Sequence, residues 1–169
     1  MGSDLDKVCL AAGRALMAAQ AFEYGVKLLL WLLADQRLID FNLDDAGAII
    51  EGRRRTTLGQ VLNVLNQKVG FTKDDAAILR QGLNDRNRLV HFFFLDNKEA
   101  LAGFAIPAVA ALGNSASDRV NSDLAAIRRN IRSADAVVNR SVQSLLRLYG
   151  IDLDGLTQSL VEAINRSLG

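Results

Sequence analysis

Arg86-Asn87-Arg88-Leu89-Val90-His91 sets a guanidinium, a carboxamide and the only histidine of the chain close together in a strongly helical stretch. An arginine can hold a non-bridging phosphate oxygen as charge grows on it in a transition state. An imidazole can move protons near neutral pH. These residue types suit phosphodiester chemistry. Cutting RNA without a metal needs a base to take the 2′-hydroxyl proton and an acid to protonate the 5′-oxygen that leaves. One histidine cannot easily be both at once, so a two-fold dimer that brings two copies of this helix together is the simplest way to supply two histidines and two arginines to one cleft.

At about 100° per residue, Leu79, Leu83, Val90 and Phe94 form an apolar stripe and Arg86 falls inside it. An arginine there is costly to bury unless it is paired, or unless the stripe borders a cleft or a subunit interface. Asn87 and His91 share the adjoining polar face with Arg80 and Asn84. The plainer readings are an ion pair of Arg86 with Glu23 or Asp85, and a half-buried histidine beside the aromatic run Phe92-Phe93-Phe94.

The elements that must position these residues are helical throughout. Apolar residues recur at helical spacing, and alternating β-branched runs are missing. A first helix is expected from Ser3 or Asp4 to about Ala34, with Val8, Ala12, Ala15, Ala19, Phe22, Val26, Leu29 and Leu33 on one side. Gly13 and Gly25 are candidates for close helix packing. A short helix should cover Asp44 to Ile50 after Asn42. Thr57 with Gln60 has the spacing of a capping box and opens a helix through Val69, which Gly70 can terminate. Thr72 with Asp75 repeats the signal for a helix from Lys73 through His91. Leu101 to Leu112 reads as a short apolar helix that Pro107 ends or kinks, and Gly113-Asn114-Ser115 as the break after it. A long helix from Ser117 to Tyr149 carries Val120, Leu124, Ile127, Ile131, Ala134, Val138, Leu145 and Leu148, a stripe suited to a bundle or a dimer seam. Gly150 closes it. A last amphipathic helix holds Leu156, Leu160, Ile164 and Leu168. The expected fold is all-α: one antiparallel helical bundle over residues 1–169, without internal repeat or domain boundary.

Composition narrows the function classes. Twenty basic residues against nineteen acidic leave a formal charge of +1, so no global field draws the chain to nucleic acid or an anionic membrane. The basic run Arg53-Arg54-Arg55 reads as a solvated loop that reaches RNA only if the fold brings it to the cleft. The lone Cys9 rules out an intramolecular disulfide and a cysteine metal cage, and reads as a small buried residue on the first helix. One histidine and no clustered carboxylates argue against a metal enzyme, and no cofactor-binding motif stands out. The N-terminus lacks the pattern of a secretory signal, and the apolar stretch from Val26 to Ala34 falls short of the roughly 20 residues that span a bilayer. The expectation is a soluble, cytoplasmic protein with no membrane partner.

Arg86-Asn87-x-x-x-His91, late in a helix of an all-α domain, resembles the signature of the HEPN superfamily, the higher eukaryotes and prokaryotes nucleotide-binding domains. Glu23-Tyr24-Gly25-Val26-Lys27 resembles the glutamate-x-x-x-lysine element found in part of it. The resemblance covers about Asp4 to Phe94. It implies a metal-independent endoribonuclease that acts as a homodimer on RNA and leaves a 2′,3′-cyclic phosphate. It further implies a toxin or defence effector with an antitoxin partner such as a minimal nucleotidyltransferase. By that resemblance Arg86 stabilises the pentacovalent phosphorane, His91 is the acid or base, and Asn87 orients substrate or histidine. Glu23 and Lys27 support the cleft, with Glu23 the carboxylate to pair with Arg86. Arg80, Asn84 and Arg88 are candidate RNA contacts. The alternative is a non-catalytic helical module that binds a nucleotide or a protein and regulates it.

Overall fold

Along the first helix the apolar positions recur every third or fourth residue, and those are the side chains that leave solvent. Val8, Ala12, Ala15, Ala19, Phe22, Val26, Leu29 and Leu33 are all buried. They line one side of α1, Asp4–Asp35. The structure, a computed structural model, describes residues 4–98 and 113–150. All regular structure in that range is helical: α1, α2 (Leu43–Ile50), α3 (Leu58–Val69), α4 (Lys73–Asn87), a π-helical turn (Arg88–Phe92), α5 (Phe93–Asp96) and α6 (Gly113–Leu148). The short helix expected over 101–112 and the last amphipathic helix lie outside the described residues.

Local chemistry sets the helix ends where the sequence places them. Asn42 caps α2 by accepting from the Asp45 N–H. Thr57 and Gln60 complete a reciprocal capping box on α3, and Gly70 ends that helix in the left-handed region. Thr72 caps α4 through the Asp75 N–H. α1 ends less comfortably. The Leu38 N–H reaches back to the Leu33 carbonyl at 2.8 Å, and between them Arg37 takes φ +54°, a conformation that favours glycine.

α6 packs along both α1 and α4. Val120, Leu124, Ile127, Ile131, Ala134 and Val138 are buried, and Val142 and Leu146 continue the line, whereas Leu148 is exposed. The heptad-like stripe is therefore covered within the chain, by its own bundle. Asp75 meets Arg140, Asp85 meets Asn130 and Arg88 meets Asp123, an order that makes α4 and α6 antiparallel. The described part of α6 starts at Gly113, so Gly113-Asn114-Ser115, expected as a break, is helical. Toward its C-terminal end α1 is buried on several sides, including Leu30, Leu32 and Ala34, because α2 and α3 also lie against it. Over Leu5–Asp35 it is long and apolar enough to meet the length and composition test for a membrane span, a test that a core helix also meets. The apolar stretch is therefore longer than the expected Val26–Ala34.

Three further expectations need correction. Cys9 is exposed, because Val8 and Ala12 take the inward face of that turn. Gly13 has open space around it, while Gly25 does mark a close approach, with an added Cβ meeting Val138 Cγ1 at 3.3 Å. The stripe on α4 is also displaced. Leu79, Gly82, Asp85, Leu89 and Phe93 point inward, and Val90 and Phe94 are exposed. Gly82 causes this: a Cβ there would lie 2.3 Å from Ala134 Cβ, so only glycine lets α4 press so closely on α6. One turn on, the Asp85 carboxylate is satisfied inside the contact by Gln81 Nε2 at 3.0 Å and Asn130 Nδ2 at 2.8 Å.

Candidate functional site around Arg86

With Gly82 and Asp85 turned toward α6, Arg86 comes to the border of the buried face of α4 and points toward α1. Its Nη2 donates to Glu23 Oε2 at 2.5 Å, and its Nη1 to Asn87 Oδ1 at 3.1 Å. The other Glu23 oxygen takes Lys27 Nζ at 2.9 Å, one helical turn along α1. The three charged side chains are mostly covered, with 20 % of Arg86, 27 % of Glu23 and 18 % of Lys27 still exposed. Burial would raise the Glu23 carboxyl, but hydrogen bonds and charge from Lys27 and Arg86 outweigh it and hold the group below its ordinary value of 4.5. At neutral pH this is a carboxylate between two cations. The set carries one net positive charge.

His91 reaches the same place through an irregularity in the helix. On a regular α-helix five steps of about 100° put His91 roughly 140° round from Arg86. Here the chain passes through the π turn Arg88–Phe92, closed by the Phe93 N–H on the Arg88 carbonyl. A π turn has more residues per turn and so winds less per residue, which swings His91 back toward the arginine side. Arg86, Asn87, His91 and Phe92 consequently line one cleft of about 480 Å³. His91 is exposed, and its ring meets Phe92 edge-on, with centroids 6.1 Å apart.

The opposite wall of that cleft is the start of α3, from Thr56 to Gly59. The N–H groups of Leu58 and Gly59 have no acceptor behind them within the helix, and they sit at its positive end. Arginine, histidine and a helix N-terminus therefore bound one space. The sequence shows the capping box, but which space the capped end opens onto depends on how α3 lies against α1, and no local pattern encodes that.

A second cleft of about 430 Å³ opens on the other side of the Glu23–Arg86 pair, bounded by Leu16, Gln20, Tyr24, Lys27, Ile50 and Val90. The two clefts share Glu23 and Arg86. Tyr24 and Gln20 line this cleft without a sequence signal, since a tyrosine and a glutamine on a helix point to no chemistry alone.

The remaining candidates lie apart. Arg80 and Asn84 are exposed and line neither cleft. Arg88 meets Asp123 of α6 at 3.3 Å and Asp96 of α5 at 3.5 Å. Of the basic run, Arg53 pairs with Glu51 and Arg54 with Asp45, while Arg55 is exposed next to the cleft-lining Thr56. Among the described residues no three His, Cys, Asp or Glu side chains gather as a metal-binding group. No family model, curated protein or solved structure matches this chain.

Proposed function

We propose that this chain is a metal-independent endoribonuclease of the HEPN type, acting as a homodimer. The observation that carries the reading is the shared cleft: Arg86, Asn87 and His91 line one space, although Arg86 and His91 would point roughly 140° apart on a regular helix. A phosphate in that space meets the remaining N–H donors of Arg86 and the first-turn N–H groups of α3, a cationic guanidinium and a helix N-terminus together. Both strengthen as negative charge accumulates on the phosphorus oxygens, which is what lowers the barrier to 2′-hydroxyl attack. His91 takes or delivers the proton, and exposure leaves it accessible to do so. Asn87 accepts from Arg86 and so orients the guanidinium, and Glu23 fixes its other edge.

A second chain supplies the second histidine. Phe94 and Leu95, 56 % and 67 % exposed just beyond the motif, leave apolar surface beside the site for it to cover. A cytoplasmic toxin or defence effector, restrained by an antitoxin such as a minimal nucleotidyltransferase, is the setting this activity suits. Incubation of the purified protein with RNA in excess chelator tests the reading. The wild type should cut, and His91→Ala and Arg86→Ala should not while keeping their helical circular dichroism. Undiminished cutting by His91→Ala removes the assignment.

A further inference from the structure

The two clefts that meet at Arg86 differ in chemistry. The His91 side is walled by threonines and a helix N-terminus, which suit phosphate and sugar. The other side is lined by Tyr24, 42 % exposed, by the aliphatic residues Leu16, Ile50 and Val90, and by Gln20, which carries a carboxamide. We propose that this second cleft is a nucleobase subsite, which takes the base of a nucleotide whose phosphate rests on Arg86. The inference builds on the RNA-cutting reading and deepens it, since it makes the enzyme sensitive to a base beside the cut.

Flat aromatic surface and aliphatic walls match the face of a base, and a carboxamide offers both a donor and an acceptor to its edge. The volume falls in the range of small-ligand sites. Charge agrees as well. Lys27 and Arg86 against Glu23 leave one positive charge at the back of the cleft, the complement of one phosphodiester. The Tyr24 phenol, neutral near neutral pH like any ordinary phenol, does not repel that phosphate. The backbone geometry needed is short-range, because a base adjoins its own phosphate and Arg86 borders both spaces.

The test is titration of the wild type with each of the four 5′-ribonucleoside monophosphates and, separately, with inorganic phosphate, followed by backbone amide NMR. At least one nucleotide should bind about tenfold or more tighter than phosphate, as stacking on one aromatic ring provides, and should shift amides around Gln20, Tyr24 and Ile50 that phosphate leaves in place. Tyr24→Ala should erase the nucleotide advantage while leaving phosphate affinity unchanged, and Tyr24→Phe should keep it. Nucleotides no tighter than phosphate, or an advantage that survives Tyr24→Ala, overturns the subsite. The wild-type shift map decides the matter even if Tyr24→Ala does not fold. The nuclease reading fails separately: a protein that prefers a nucleotide but never cuts RNA retains the subsite and loses the activity, and one that cuts with no base-dependent binding does the reverse.

Discussion

Gly82→Ala tests the packing that aims Arg86 at Glu23. The added methyl would lie 2.3 Å from Ala134 Cβ, whereas apolar carbons rest about 3.5–4.0 Å apart, so α4 must part from α6 by more than about 1 Å. Ala134 Cβ is fixed to helix backbone and cannot rotate aside, which places the overpacking cost near the upper end of its usual range, about 3 kcal/mol. Exchanging glycine for alanine inside a helix returns about 1 kcal/mol of propensity, leaving a net loss of about 2 kcal/mol. Ala134→Gly alone loses about 1 kcal/mol of propensity and some buried methyl contact. In the double variant the methyl only changes helix, the propensity changes cancel, and stability should return to within about 1 kcal/mol of the wild type. The coupling between the two sites should therefore reach about 2–3 kcal/mol, as expected for residues in direct contact. Urea unfolding followed by circular dichroism measures all four corners of the cycle. Additive single effects would show that the two helices do not cross at Gly82, and the derivation of the inward face of α4 would fall with it.

Other perturbations address the site and its supports. Arg37→Gly relieves a left-handed arginine and should stabilise the chain by up to about 1 kcal/mol, seen as a higher melting temperature, once glycine's greater unfolded freedom is subtracted; a lower melting temperature contradicts the αL assignment. Asp85→Ala leaves the half-buried Asn130 amide without its acceptor in the α4–α6 contact and should cost about 1–3 kcal/mol in urea unfolding, while Asp85→Asn should cost less. Glu23 has a lowered folded pKa, so its contribution to stability is present above its ordinary value of 4.5 and is lost as pH falls through the lower folded value. Glu23→Gln should flatten that acid limb of the stability profile, and an unchanged limb would mean that the carboxylate is not held by Lys27 and Arg86.

Much of this arrangement is legible in the sequence where the cause is local. Asn42, Thr57 and Thr72 announce helix starts because a short side chain must satisfy the first N–H groups, and the stripes of α1 and α6 announce their buried faces by period alone. Glu23 and Arg86 could be paired because an arginine near the buried face needs a counter-charge. What stayed hidden depends on two elements at once. Gly82 and Asp85 do not look like core residues, yet a close crossing makes glycine inward-facing and two amides make the aspartate acceptable, which turned the stripe away from Val90 and Phe94. The π turn is the same kind of case: Leu89 and Phe93 both pack inward, and no residue between Arg88 and Phe92 signals an altered winding. A regular helix holds Asn87 and His91 on one face but turns Arg86 away from His91, so the cleft that all three line follows from the altered winding and not from the spacing.

The most direct measurement uses an oligonucleotide that is DNA except for one ribonucleotide, incubated with the protein in excess chelator. Cutting should occur only on the 3′ side of the ribose, leave a 2′,3′-cyclic phosphate, and vanish with His91→Ala. Cutting of an all-DNA strand, a 3′-hydroxyl product, or equal cutting by His91→Ala would contradict a site in which Arg86 and His91 act on the 2′-hydroxyl attack.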